Sequence, residues 1–148
     1  MAFRFPLAPL LHLRESVERQ SALSLREASL KVVRAQEMLV RLDQFLATSC
    51  AFDETGLRAG RRAVELQFAS LSRENFEVLR KELKAEIRRL ELARRKAAAE
   101  YQRAYREREA LEALRKNQLR RHQQEDLRRQ QRDLDESYLL QRWRNPLG

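Results

Sequence analysis

Apolar residues recur along this chain with a helical period. With Leu25 taken as the first core position, one series runs Leu25, Val32, Leu39, Leu46, and its companion runs Ala28, Ala35, Leu42, Ser49. Seven successive core positions are apolar before Ser49 closes the pattern. Such 3–4 alternation specifies a helix packed on another helix. Alanine at the first two companion positions lets the partner approach closely. Upstream the pattern weakens. Leu10, Leu11, Leu13 and Val17 are apolar, but Glu18 and Ser21 occupy the extrapolated core positions.

A second, looser pattern follows. One series, seven residues apart, is Phe76, Leu83, Leu90, Ala97, Ala104, Leu111. Its companions are Leu79, Ile87 (one residue out of phase), Ala93, Tyr101 and Leu114. Val64, Phe68 and Leu71 form a stripe in a shifted phase. That drift is what a 3.6-residue period gives when strict heptads are not held. Beyond Leu114 the stripe fades. Gln118, His122 and Glu125 stand where apolar residues are wanted, and Leu119, Leu127 and Leu134 are scattered.

Helix breakers divide the two patterns. The only proline and glycine residues are Pro6, Pro9, Gly56, Gly60, Pro146 and Gly148. A turn-rich or sheet-rich fold needs many more. The expected fold class is all-α: an antiparallel two-helix coiled-coil hairpin whose second helix is much longer than the first. The expected parts are an N-terminal segment 1–8, helix one over 9–49, a turn over 50–60 and helix two over 61–144. A turn near residue 57 sets Leu39 against Phe76, Leu25 against Leu90 and Leu10 against Ala104. Helix two then overhangs from about residue 110, where its stripe fades. Helix-favouring residues and the pairs Arg121–Glu125 and Glu125–Arg129 support it there.

Charge sharpens the picture. The net charge of +9 arises almost wholly in residues 80–132, which hold 18 Lys/Arg against 9 Asp/Glu. A basic helix suits an acidic protein surface, nucleic acid or anionic lipid, and interleaved carboxylates equally suit a solvated coiled-coil face. Nucleic-acid readers built on a basic helix carry a denser basic block, so nucleic acid is disfavoured. No apolar run approaches the ~20 residues of a membrane span, and Arg4, Pro6, Pro9 and His12 interrupt the N-terminal apolar stretch. A cytosolic protein is expected. Cys50 is the only cysteine, so no internal disulfide can form. His12 and His122 have no metal-ligand spacing, and there is no phosphate loop or nucleophile motif. No enzyme activity, cofactor, metal or small-molecule substrate is expected.

The chain ends carry a family resemblance. The N-terminus reads Phe3-Arg4-Phe5-Pro6-Leu7, leading into Leu11-His12-Leu13-Arg14, and Asp135-Glu136 falls late in helix two. This resembles the FliJ family of the bacterial flagellar type III export apparatus. Its members commonly show an aromatic-basic-aromatic start, a Leu-x-x-Arg helix and a late Asp-Glu pair. The resemblance covers the whole length, with short motifs. It implies a cytosolic coiled coil, peripherally associated with the inner face of the cell membrane. It also implies, as partners, the export ATPase and its regulator, the membrane export gate protein and the export chaperones. Rival readings are a generic coiled-coil adaptor and a basic nucleic-acid-binding coiled coil.

Two surfaces follow. The resemblance places gate and chaperone contacts beside the turn, in 36–45 and 68–79, with Gln36, Met38, Phe45, Phe68 and Leu79 as candidates. Met38, Phe45 and Phe68 lie off the core series, so they either form a contact face or widen the seam and cover the turn. The free end supplies the second candidate set, for the ATPase: Phe3, Phe5, Arg128, Arg129, Arg132, Tyr138, Leu139, Leu140 and Trp143. Trp and Tyr on a charged tip are favoured anchors, and the arginines could steer an acidic partner. The alternatives are a frayed tail, or Phe3 and Phe5 folded back over the tip.

Overall fold

The computed structural model describes residues 2–58, 60 and 62–146, without the side chains of residues 53 and 57. Met1 and Gly148, the ends of the expected 1–148 span, and Ala59 of the expected turn lie outside the described residues. The described chain is all-α. Helix α1 spans Ala8–Arg58 and helix α2 spans Ala63–Arg144. No strand occurs among the described residues.

Local chemistry sets the helix ends. The Pro6-Leu7 turn precedes α1, and the Ala8 N–H donates to the Phe5 carbonyl. Pro9 sits in the first turn, where a missing N–H costs nothing. Glu65 lies in the first turn of α2, and Arg142 and Arg144 lie in its last, each favourable to the helix dipole. Beyond the last helical residue the Asn145 N–H returns to the Gln141 carbonyl, and Pro146 follows in a turn.

The expected turn over 50–60 is too long and starts too early. Cys50 to Arg58 continue α1 instead. Gly56 stays inside the helix, where glycine costs about 1 kcal/mol but does not force an exit. Gly60 makes the turn, at φ 79°. The side-chain hydroxyls of Thr48 and Thr55 donate to the carbonyls of Gln44 and Ala51 one turn back, which keeps both polar groups satisfied within the extended helix.

The chain forms two compact units, residues 19–102 and residues 1–18 with 103–148. In the 19–102 unit the helices run antiparallel. Phe45 packs on Phe76, Asp43 pairs with Arg80, and Arg73 donates to the Cys50 sulfur. The numbers in these pairs sum to 121–123, not to about 114. Leu39 therefore does not face Phe76, and Leu25 does not face Leu90. The slip is about one heptad, so the same faces still meet. Val32, Ala35 and Ile87 form the buried centre.

The seam of α2 is stricter than its apolar residues suggest. The less exposed positions run Ala69, Arg73, Phe76, Arg80, Leu83, Ile87, Leu90, with Ala97, Tyr101 and Ala104 beyond the exposed Arg94. This is a heptad register, interrupted by exposure only at Arg94. Ile87 is in phase, and the expected companions Leu79, Ala93 and Leu114 are exposed. Arginines take the companion positions because their methylene stems cover apolar surface while the head group reaches an acid.

In the unit of residues 1–18 and 103–148 the helices again run antiparallel. Arg14 pairs with Glu107 and Glu18 with Arg108. Leu11 and Ala104 are buried. Helix α2 is partly covered as far as Asp126, and every described residue from Leu127 onward is exposed. The overhang thus begins near 127 rather than 110, since the N-terminal segment reaches His122.

Candidate partner-binding surfaces

The turn-proximal candidates occupy the flank of the seam in the 19–102 unit. Met38 and Leu79 come together there. With Arg41, Leu42 and Leu83 they line an open, largely apolar groove of about 340 Å³. Each sits one residue before a seam position, Leu39 and Arg80 respectively, and that offset leaves both exposed beside the buried line. Gln36 lies in a separate shallow groove with Val33, Glu37, Val40 and Arg41. Phe45 is 51% exposed, and its ring meets Phe76 edge-on at 5.0 Å between centroids. It widens the seam on one side and faces solvent on the other. Phe68 is 73% exposed and lines neither groove.

The free-end candidates divide into two groups. Phe5 is buried and Phe3 is half-buried, its ring 5.6 Å from that of His122. His122 Nδ1 lies 3.3 Å from the Asp126 carboxylate one turn on. The N-terminal segment is thereby fixed to the last third of α2, about 24 Å of helix before Tyr138. Phe3 and Phe5 do not cover the tip. Arg128, Arg129, Arg132, Tyr138, Leu139, Leu140 and Trp143 are all exposed, Trp143 by 90%. Leu139, Arg142, Trp143 and Pro146 line one shallow groove, and Tyr138, Gln141, Arg142 and Asn145 line its neighbour. Arg142 is common to both. The last turns of α2 therefore offer two aromatic rings and one leucine around one guanidinium, with Leu140 exposed outside both grooves.

A charged layer in the seam went unread in the sequence. Glu18 holds the extrapolated core position, and its carboxylate pairs with Arg108, whose guanidinium also lies 5.1 Å over the Tyr105 ring. The paired Glu18 carboxylate raises the Arg108 pKa above its ordinary value, against a smaller opposing effect of desolvation. Farther along, the Arg115 guanidinium donates to Glu112 and holds its carboxyl below the usual carboxylate range. The signal for the first pair was present: an acid at a core position needs a basic partner on the facing helix.

The grooves are open, and among the described residues no group of three His, Cys, Asp or Glu could hold a metal ion. No helix among them is long and apolar enough to cross a membrane. Comparison with curated proteins and with solved structures gave no match. A family model described as "Flagellar FliJ protein" matches residues 3–148. That match runs from the Phe3 anchor through both helices to the exposed tip, so the chain belongs to the flagellar FliJ family and is a non-enzymatic component of the flagellar export apparatus.

Proposed function

We propose that this chain is the stalk-like binder of the export ATPase and escorts export chaperones to the membrane gate. The tip of α2 engages the ATPase, and the Met38–Leu79 flank engages the gate protein or a chaperone. The protein acts in the cytoplasm, peripherally at the inner face of the cell membrane, and the ATPase regulator is a further partner. One observation carries this reading: the tip holds exposed Tyr138, Leu139, Leu140 and Trp143 on a helix end that none of the described residues covers. Large apolar groups on a charged element are costly to leave in water and favour a contact role. The exposed Arg128, Arg129 and Arg132 precede them and suit an acidic binding cavity.

Truncation after Asp133 tests this reading. The truncated protein should lose binding to the ATPase while keeping its helical circular dichroism and its affinity for the gate protein. Unchanged ATPase affinity would reject the tip. The basic stretch 80–132 keeps a nucleic-acid reading open as a competitor, and it is separable. Phosphate-driven binding falls steeply with salt, so an electrophoretic shift at physiological ionic strength would have to persist for that reading to stand.

A further inference from the structure

Helix α2 carries a second apolar line, on the side away from α1. Val64, Leu71, Val78, Ala85, Leu92 and Ala99 recur at intervals of seven, and all six are exposed. The four larger ones are 56–74% exposed. This line lies about 170° round the helix from the middle of the seam. On a straight helix a heptad series would drift by ~20° per repeat. Here the seam of α2 holds heptads from Ala69 to Leu90, so over that stretch the outer line stays on one face. The line and its flanks lie wholly within the 19–102 unit.

We propose that this face is a self-association surface, on which a second copy of the chain docks antiparallel about a twofold axis midway between Lys81 and Glu82. The positions of the line are symmetric about that point, and each valine is set opposite an alanine. Leu71 of one copy meets Leu92 of the other, Val78 meets Ala85, and Val64 meets Ala99. A twofold pairing must be self-complementary in charge as well as in shape, and the flanks meet this condition. On one edge Glu74 comes within about 1.5 Å in height of Arg88 of the other copy, and Glu77 within about 3 Å of Lys84, each pair occurring twice. All four side chains are exposed and can reach across. Lys81 meets its own copy on that edge, and Glu82 meets its own copy on the opposite edge. These two repulsions partly offset the four attractions. A single line of six positions lies at the low end of interface size, and the dimer is weak and concentration-dependent.

Sedimentation of the full-length protein at rising concentration should show a monomer–dimer equilibrium. L71E/L92E should remove the dimer without loss of helicity. Glu74→Arg should weaken it at least tenfold, and adding Arg88→Glu on the same chain should restore it, which a merely structural role for either residue would not do. In a Cys50→Ser background, a mixture of V78C protein and A85C protein should cross-link to each other more readily than V78C protein does to itself. A monomer at every concentration, a dimer indifferent to L71E/L92E, or preferential V78C self-linking would each overturn the proposal.

Discussion

Phe45 meets Phe76 edge-on, with ring centroids 5.0 Å apart and planes at 62°. The contact joins a residue at the edge of the α1 seam to one at its centre on α2. Edge-to-face pairs contribute about 0.5–1.5 kcal/mol beyond area burial. Both rings remain partly exposed, so truncation costs less than in a closed core. Phe45→Ala should destabilise the protein by about 1–2 kcal/mol. A double-mutant cycle with Phe76→Ala should show a coupling of about 0.5–1 kcal/mol by thermal denaturation. Additive losses would mean that the two rings pack independently.

This pair also shows what the sequence conveys. Heptad spacing identifies which faces meet, and every α1 core position from Leu25 to Ser49 is indeed among the less exposed residues. It does not identify which heptad meets which, because sliding one helix by seven residues returns the same faces to each other. Register therefore rests on the turn. Gly56 and Gly60 both signal a turn, and only the backbone distinguishes the glycine that turns from the one the helix absorbs. The arginines of the α2 seam were obscure for a related reason: an amphipathic side chain at a core position reads as polar. The exposed tip was legible, because Tyr138 to Trp143 follow a long polar stretch just before Pro146.

Gly60 provides a second test. Its φ of 79° lies in the left-handed region, and a Cβ there would meet no atom within 4 Å. Gly60→Ala should therefore cost only the backbone strain, about 1–2 kcal/mol. Gly56→Ala, inside α1, should instead stabilise the helix by up to about 1 kcal/mol. Equal effects from the two substitutions would show that the turn is not where α1 ends.

The seam pair Glu18–Arg108 makes a prediction of opposite sign for single and double changes. Glu18→Leu alone leaves the guanidinium without its carboxylate and should lower the melting temperature. Glu18→Leu with Arg108→Leu replaces the pair with the apolar contact usual at these positions, and should match or exceed the parent. A double variant weaker than the single one would mean that the ion pair contributes more than a leucine pair can replace.

The Glu112 carboxyl sits below its ordinary range because Arg115 donates to it. A depressed carboxylate contributes stability that is fully present above its unfolded pKa and is lost as pH falls through the folded one. The contribution of this surface pair is therefore present at neutral pH and disappears on acidification below the usual glutamate range. Glu112→Gln should lower the melting temperature slightly at pH 7 and have no effect once the carboxyl is protonated. The difference should shrink with added salt, as for any solvated pair. A difference that persisted in strong acid would point to packing rather than charge.

Trp143 and Phe3 separate the two halves of the proposed ATPase end. Trp143 is almost fully exposed beside Arg142, whereas Phe3 is committed to His122. If the tip is the contact, Trp143 becomes buried on binding and acts as an anchor. Trp143→Ala should then weaken ATPase binding at least tenfold, about 1.4 kcal/mol or more, without changing helicity. Phe3→Ala should release the N-terminal segment, raising hydrogen exchange at residues 7–12, and should change ATPase affinity by less than about twofold. The reverse result, with Phe3→Ala abolishing binding and Trp143→Ala neutral, would move the contact from the tip to the surface that the N-terminal segment builds around His122.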